Sequence, residues 1–130
     1  APVVDPVVSE ACGSCHLAFA PSMLPARSWQ RMMGELDNHF GDNASLDPAT
    51  AEKITSYLVA NAGDAGGQRY SSKLLKGVAT GAAPQRITEL PKWVSEHRKV
   101  PDWEWRHKEV RTKANCVACH TAAEQGYYEE

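Results

Sequence analysis

The pattern Cys-x-x-Cys-His occurs twice, at Cys12-Gly13-Ser14-Cys15-His16 and at Cys116-Val117-Ala118-Cys119-His120. Together the two copies use all four cysteines of the chain. This spacing is the attachment signature of a c-type haem. On one helical turn, residues three and four apart share a face. Two thiols so placed can add to the two vinyl groups along one haem edge, and the following histidine then lies under the iron as proximal ligand. Four thiols could instead hold a structural zinc or form two disulfides. A zinc knuckle does not require a histidine directly after each pair, and a thioredoxin-like Cys-x-x-Cys belongs to alternating strands and helices, which this chain does not show. Two covalent haems are expected, held by Cys12, Cys15, Cys116 and Cys119 and ligated by His16 and His120.

With 130 residues the chain has the length of one domain. Two large apolar tetrapyrroles change that expectation, because each can nucleate a small unit. Residues 1–63 read as an N-terminal haem domain, 64–85 as a connector with one short helix, and 86–130 as a C-terminal haem unit. No run reaches membrane-spanning length, and no basic-plus-apolar leader is visible. Ala1 is therefore expected to begin a processed chain. Covalent haem attachment happens outside the cytoplasm, so a bacterial periplasm is the expected location.

Helices dominate the pattern. Asp5-Pro6 and Asp47-Pro48 pair an N-cap carboxylate with proline at the first helical position. The first helix is expected to run into the first motif. A second should start at Ser28 and run through Phe40 to a C′ glycine at Gly41, with Trp29, Met32, Met33, Leu36 and Phe40 on one face. The third should carry Ala51, Ile54, Leu58 and Ala62 and end at Gly63. The Pro-punctuated loop Phe19 to Pro25 is placed to wrap the proximal side, where a backbone carbonyl would take the His16 Nδ1–H. Tyr70 to Lys76 is a short helical candidate. Leu90-Pro91 starts a helix with Leu90, Trp93, Val94 and His97 on one face, closed by Pro101. Asn115 is placed to cap a final helix bearing the second motif and ending near Gly126.

The second axial ligand of a c-type haem is commonly Met or His. Methionine occurs only at 23, 32 and 33, and three histidines lie outside the motifs: His39, His97 and His107. For the first haem His39 competes with Met23, Met32 and Met33. A methionine stripe on a helix more often packs the core, so His39 is favoured. For the second haem His97 follows Trp93 on an apolar face, whereas His107 stands among Arg106, Lys108 and Glu109. His97 is favoured and His107 kept as the alternative. Two bis-His irons would be closed to small ligands and low in potential.

The net charge of −2 hides an asymmetry. Residues 92–113 hold seven basic groups (Lys92, Arg98, Lys99, Arg106, Lys108, Arg111, Lys113) against four acids. Residues 1–63 hold three basic and seven acidic groups. The basic segment could neutralise haem propionates or face water, or it could steer an acidic partner. The tail Tyr127-Tyr128-Glu129-Glu130 is read as a solvated end or an interaction end of a larger complex.

The chain resembles the small dihaem cytochrome c family. The resemblance rests on Cys12-Gly13-Ser14-Cys15-His16-Leu17, Leu24-Pro25, Arg27-Ser28-Trp29, His39-Phe40-Gly41 and Asn43-Ala44. It continues through Leu90-Pro91, Glu96-His97-Arg98 and Asn115 to His120, and so covers nearly the whole chain. It implies an all-α fold, with a class I cytochrome c-like N-terminal domain and a smaller, less regular C-terminal unit. It implies bis-His ligation by His16, His39, His97 and His120. It further implies a periplasmic carrier, monomeric and without nucleic-acid partners. Such a carrier takes electrons from a membrane b-type cytochrome and passes them to a small monohaem cytochrome that can bind oxygen. The competing expectation is a small haem enzyme, a peroxidase or gas binder, with one open iron and His107 as distal acid or base.

Overall fold

A computed structural model describes residues 5–13, 17–65, 73–79 and 81–123. Five α-helices appear among these: α1 (Pro6–Gly13), α2 (Ala26–Gly34), α3 (Pro48–Ala60), α4 (Pro91–His97) and α5 (Asp102–Trp105). Single 3₁₀ turns punctuate the rest. No strand is present among the described residues, only one isolated bridge between His39 and Asp42. The fold is all-α, as expected.

Three helices start where the sequence places them. The Asp5 carboxylate accepts from Val7 N–H at 2.9 Å at the head of α1. Asp47 does the same for Thr50 N–H at 3.0 Å at the head of α3. Each fills one of the orphan donors that a helix start leaves. Proline follows the capping position at both, and also opens α4 at Pro91.

The second helix differs. It begins at Ala26 rather than Ser28, because a distant carboxylate caps it: Asp64 accepts from Ala26 N–H at 2.8 Å. Ser28 is fully buried inside the first turn. The helix also ends early. The chain leaves the helical conformation at Glu35, makes a 3₁₀ turn over Leu36–Asn38, and reverses through Phe40 and Gly41 at φ +51° and +94°. Gly41 thus serves a reversal rather than a helix C-terminus, and Phe40 is 43% exposed instead of buried on a helix face.

The core is one cluster of Val8, Leu24, Trp29, Ile54, Leu58, Ala62, Leu75, Ile87, Leu90 and Trp93. α2 lies against α3, and α4 against the 3₁₀ turns at Lys73–Leu75 and Ile87–Glu89. Trp29 anchors the loop beneath α2 by donating its indole N–H to Pro21 O at 2.8 Å. Gly63 sits where this loop, the end of α3 and Leu75 converge, and a Cβ there would meet Ser22 O at 2.5 Å. Only glycine permits that approach.

Three other expectations are corrected. Of the helix expected over Tyr70 to Lys76, the described part is only the 3₁₀ turn Lys73–Leu75. Val94 is 50% exposed and lies off the buried face of α4. The second motif forms a 3₁₀ turn, Cys116–Ala118, and Asn115 does not cap it. Its amide is turned back and donates to Glu109 O and Val110 O at 3.3 and 3.1 Å. Gly126 and the tail lie outside the described residues.

Candidate haem centres

The C-terminal site is built by α4, α5 and the turn of the second motif. His97 is the last residue of α4, one helical turn after Trp93. Its ring stacks on the Trp93 indole with centroids 4.1 Å apart and planes 14° from parallel. Its Nδ1 lies 2.7 Å from Trp93 O. A carbonyl can only accept, so Nδ1 carries the proton and Nε2 keeps its lone pair for a metal. Trp105 of α5 lies beside this stacked pair, its ring centroid 5.7 Å from that of Trp93 and 6.2 Å from that of His97.

His120 faces His97 with ring centroids 6.3 Å apart and planes 77° to one another. Two imidazoles bound on opposite sides of one metal, each through a nitrogen about 2 Å away and about 1.15 Å from its ring centre, place their centroids about 6.3 Å apart. The separation of the His97 and His120 rings matches that length. The motif wraps a single turn, His120 N–H donating to Cys116 O at 2.7 Å, so its thiols stay beside its histidine. A cavity of about 240 Å³ opens next to Cys119, walled by Val100, Trp103, Trp105 and Val110 with Glu104 and His107. The donors, the gap and the apolar wall fit a covalently held tetrapyrrole.

His107 lines that cavity, which His97 and His120 do not, and its ring is prepared differently. Its Nδ1 accepts the Glu109 N–H at 3.1 Å. In the neutral ring the proton is then on Nε2, which leaves no lone pair there for a metal. Sequence reasoning favoured His97 for its apolar face; the opposite proton placement on the two rings is what the structure adds.

The N-terminal site is described only in part, because Cys15 and His16 lie outside the described residues. Cys12 sits on α1 and packs against the core. His39 is held on the reversal after α2: its N–H donates to Asp42 O at 2.7 Å, and Asp42 N–H returns to His39 O at 3.1 Å. Its ring lies against Phe40, centroids 4.7 Å apart. Met23, Met32 and Met33 all pack against the core cluster. Cys12, Cys116 and Cys119 are free of disulfides. Before haem attachment, burial pushes the Cys12 and Cys116 thiols up from their ordinary value.

A family model for dihaem cytochrome c, DHC, matches residues 8–128. The chain belongs to the dihaem cytochrome c family. This dihaem cytochrome is similar to the diheme cytochrome c from Rhodobacter sphaeroides at 42% identity, over 96% of this chain and 97% of that one, with a TM-score of 0.87. A second structure, of DHC purified from Rhodobacter sphaeroides, is 41% identical over 97% and 98% of the two chains, with a TM-score of 0.81. The diheme cytochrome sb-DHC from Shewanella baltica OS155 is 33% identical over 95% and 86%, with a TM-score of 0.78. No curated protein matches the chain. Family membership gives this cytochrome two covalently bound haem c groups and a role consistent with electron transfer. No helix among the described residues is long and apolar enough to cross a membrane.

Proposed function

We propose that this dihaem cytochrome relays electrons through two low-potential bis-His haems. His16 and His39 would ligate the first, and His120 and His97 the second. Cys12 and Cys15 would attach the first haem, Cys116 and Cys119 the second. Residues 1–63 and 86–130 would each house one centre, joined by 64–85. The haem supplies the one-electron chemistry, and the chain supplies ligation, burial and docking. The observation that carries this reading is the 6.3 Å separation of His97 and His120. Imidazole donates more strongly than thioether and favours ferric iron, which lowers the potential. An iron filled on both sides has no position for a substrate, so relay is favoured over catalysis.

The family likeness supports a periplasmic monomer that takes electrons from a membrane b-type cytochrome and passes them to a small monohaem cytochrome. Arg98, Lys99, Arg106, Lys108, Arg111 and Lys113 are exposed around the second centre, and Trp103 among them is 64% exposed. This basic face would dock an acidic partner, with an on-rate that falls as salt rises. A salt-independent rate removes this face from the reading.

Single replacements of His39, His97 and His107 by alanine test the ligands. Optical spectra should lose the low-spin signature at one haem in the first two variants and keep both in the third. No long-wavelength Met–iron band should appear in the ferric protein. With His97 and His120 ligating at the 77° between their rings, two iron d orbitals would lie close in energy, and the second haem should give a highly anisotropic ferric EPR signal. The placement of His107 in the cavity beside Cys119 favours one other reading, an enzyme with an open iron. Rapid, near-complete carbon monoxide binding by the unmodified reduced protein would establish that reading instead.

A further inference from the structure

His39 sits on a turn that must be held from outside. α2 stops at Gly34, so no helix carries His39. The two residues at the tip of the turn both take positive φ. Gly41 does so freely, but Phe40 at +51° is a bulky side chain in a region that L-residues disfavour. The Phe40 ring touches His39, so wherever Phe40 goes, the imidazole is affected.

Arg86 meets this turn from 46 positions further along the chain. Its guanidinium carbon stands 4.3 Å from the centre of the Phe40 ring, within cation–π range. Glu89 lies 3.5 Å from its Nε and helps to fix its direction. Arg86 flanks the 3₁₀ turn Ile87–Glu89, and Ile87 and Leu90 anchor that segment in the core. The same segment continues into α4, whose last residue is His97.

We propose that Arg86 is a positioning residue for the first haem: stacked on Phe40, it keeps the His39–Asp42 turn closed and His39 at the iron. The proposal rests on the assignment of His39 as a ligand. It makes one short segment responsible for both sixth ligands, carrying His97 itself and clamping His39 through Phe40. A planar guanidinium suits the role and a lysine ammonium does not, because the contact is a stack as well as a charge.

The test is carbon monoxide binding to the reduced holoprotein. Arg86→Ala, Arg86→Lys, Phe40→Gly and the pair Phe40→Gly/Arg86→Ala are compared, with His39→Ala as reference. Phe40→Gly removes the ring while suiting the backbone, so it serves even where an Arg86 variant folds poorly. Loss of a partly exposed cation–π contact should raise the rate of binding at one haem per chain by about two- to fivefold. Both Arg86 variants should show the rise, and the double variant should add nothing to Phe40→Gly alone. Unchanged kinetics in Arg86→Ala, beside an open first haem in His39→Ala, overturns the role of Arg86 and leaves His39 as ligand. Wild-type kinetics in Arg86→Lys alone also overturns the stack, since charge would then suffice. A first haem that stays closed in His39→Ala overturns the ligand assignment instead.

Discussion

His97 ends a helix, with its ring flat on Trp93 and its Nδ1 tied to the carbonyl one turn back. His39 rides on a two-residue reversal, fixed by two backbone hydrogen bonds and by the ring beside it. The first arrangement orients an imidazole through local structure: the helix supplies the stacking partner and the acceptor four residues earlier. The second depends on turn chemistry and on a side chain more than forty positions away. Local orientation should survive change elsewhere in the protein, and remote orientation should not.

The largest test of this contrast is Trp93→Ala. Trp93 is buried at 8% exposure and belongs to the core, so its loss should cost about 3–5 kcal/mol of stability. Denaturant unfolding measures that cost, and EPR should show disordered ligand planes at the second haem only. Equal disturbance of both haems would break the contrast. Gly63→Ala comes next. Its new methyl meets Ser22 O and Leu75, and overpacking of this kind costs about 1–3 kcal/mol. This site is common ground beneath the first haem's loop and the turn against α4, so both potentials should shift together.

Gly41→Ala is a smaller and more selective change. Nothing lies near its Cβ, so only the φ of +94° opposes the substitution, at about 1–2 kcal/mol. Spectra should show a weakened sixth ligand at the first haem and an unchanged second haem. The smallest effect is at Asp47, whose side chain caps α3. The Thr50 hydroxyl and N–H hold its carboxyl below the usual 3.8. A depressed carboxylate stabilises the fold above that value, and the contribution is lost as the pH falls through the lower folded value. The Tm difference between wild type and Asp47→Ala should therefore be small at neutral pH and shrink in acid, with both haem spectra unaltered throughout.

The parts of the molecule written in short stretches were the legible ones. Asp5-Pro6 and Asp47-Pro48 mark helix starts because cap and proline act within one turn, and Leu90-Pro91 does so through proline without a side-chain cap. The two Cys-x-x-Cys-His motifs identify the cofactor because the chemistry needs those residues at that spacing. The second helix was misread at both ends for non-local reasons. Its cap is Asp64, 38 residues on. Its apolar period continues to Phe40 although the backbone has already left the helix at Glu35. The helix α5 went unseen because four residues give too short a period to recognise. At the candidate site, a census of histidines led to the expectation that His97 stands opposite His120, and the two rings lie near one another. The proton placement that separates His97 from His107 depends on which backbone groups each ring meets, and no spacing encodes that.

The remote cap on α2 also has a consequence in time. α3 carries its own starting signal in Asp47, so its first turn can close as soon as those few residues meet. The Ala26 N–H at the head of α2 has to wait for Asp64 to come back, and closing a loop costs more entropy the longer it is. Arg27 binds the same carboxylate and the carbonyls of Ala79 and Ala82 beyond it. During refolding, pulse-labelled hydrogen exchange should find amides of α3 protected before the amide of Ala26. The helix leading towards His39 would then be among the later pieces to set.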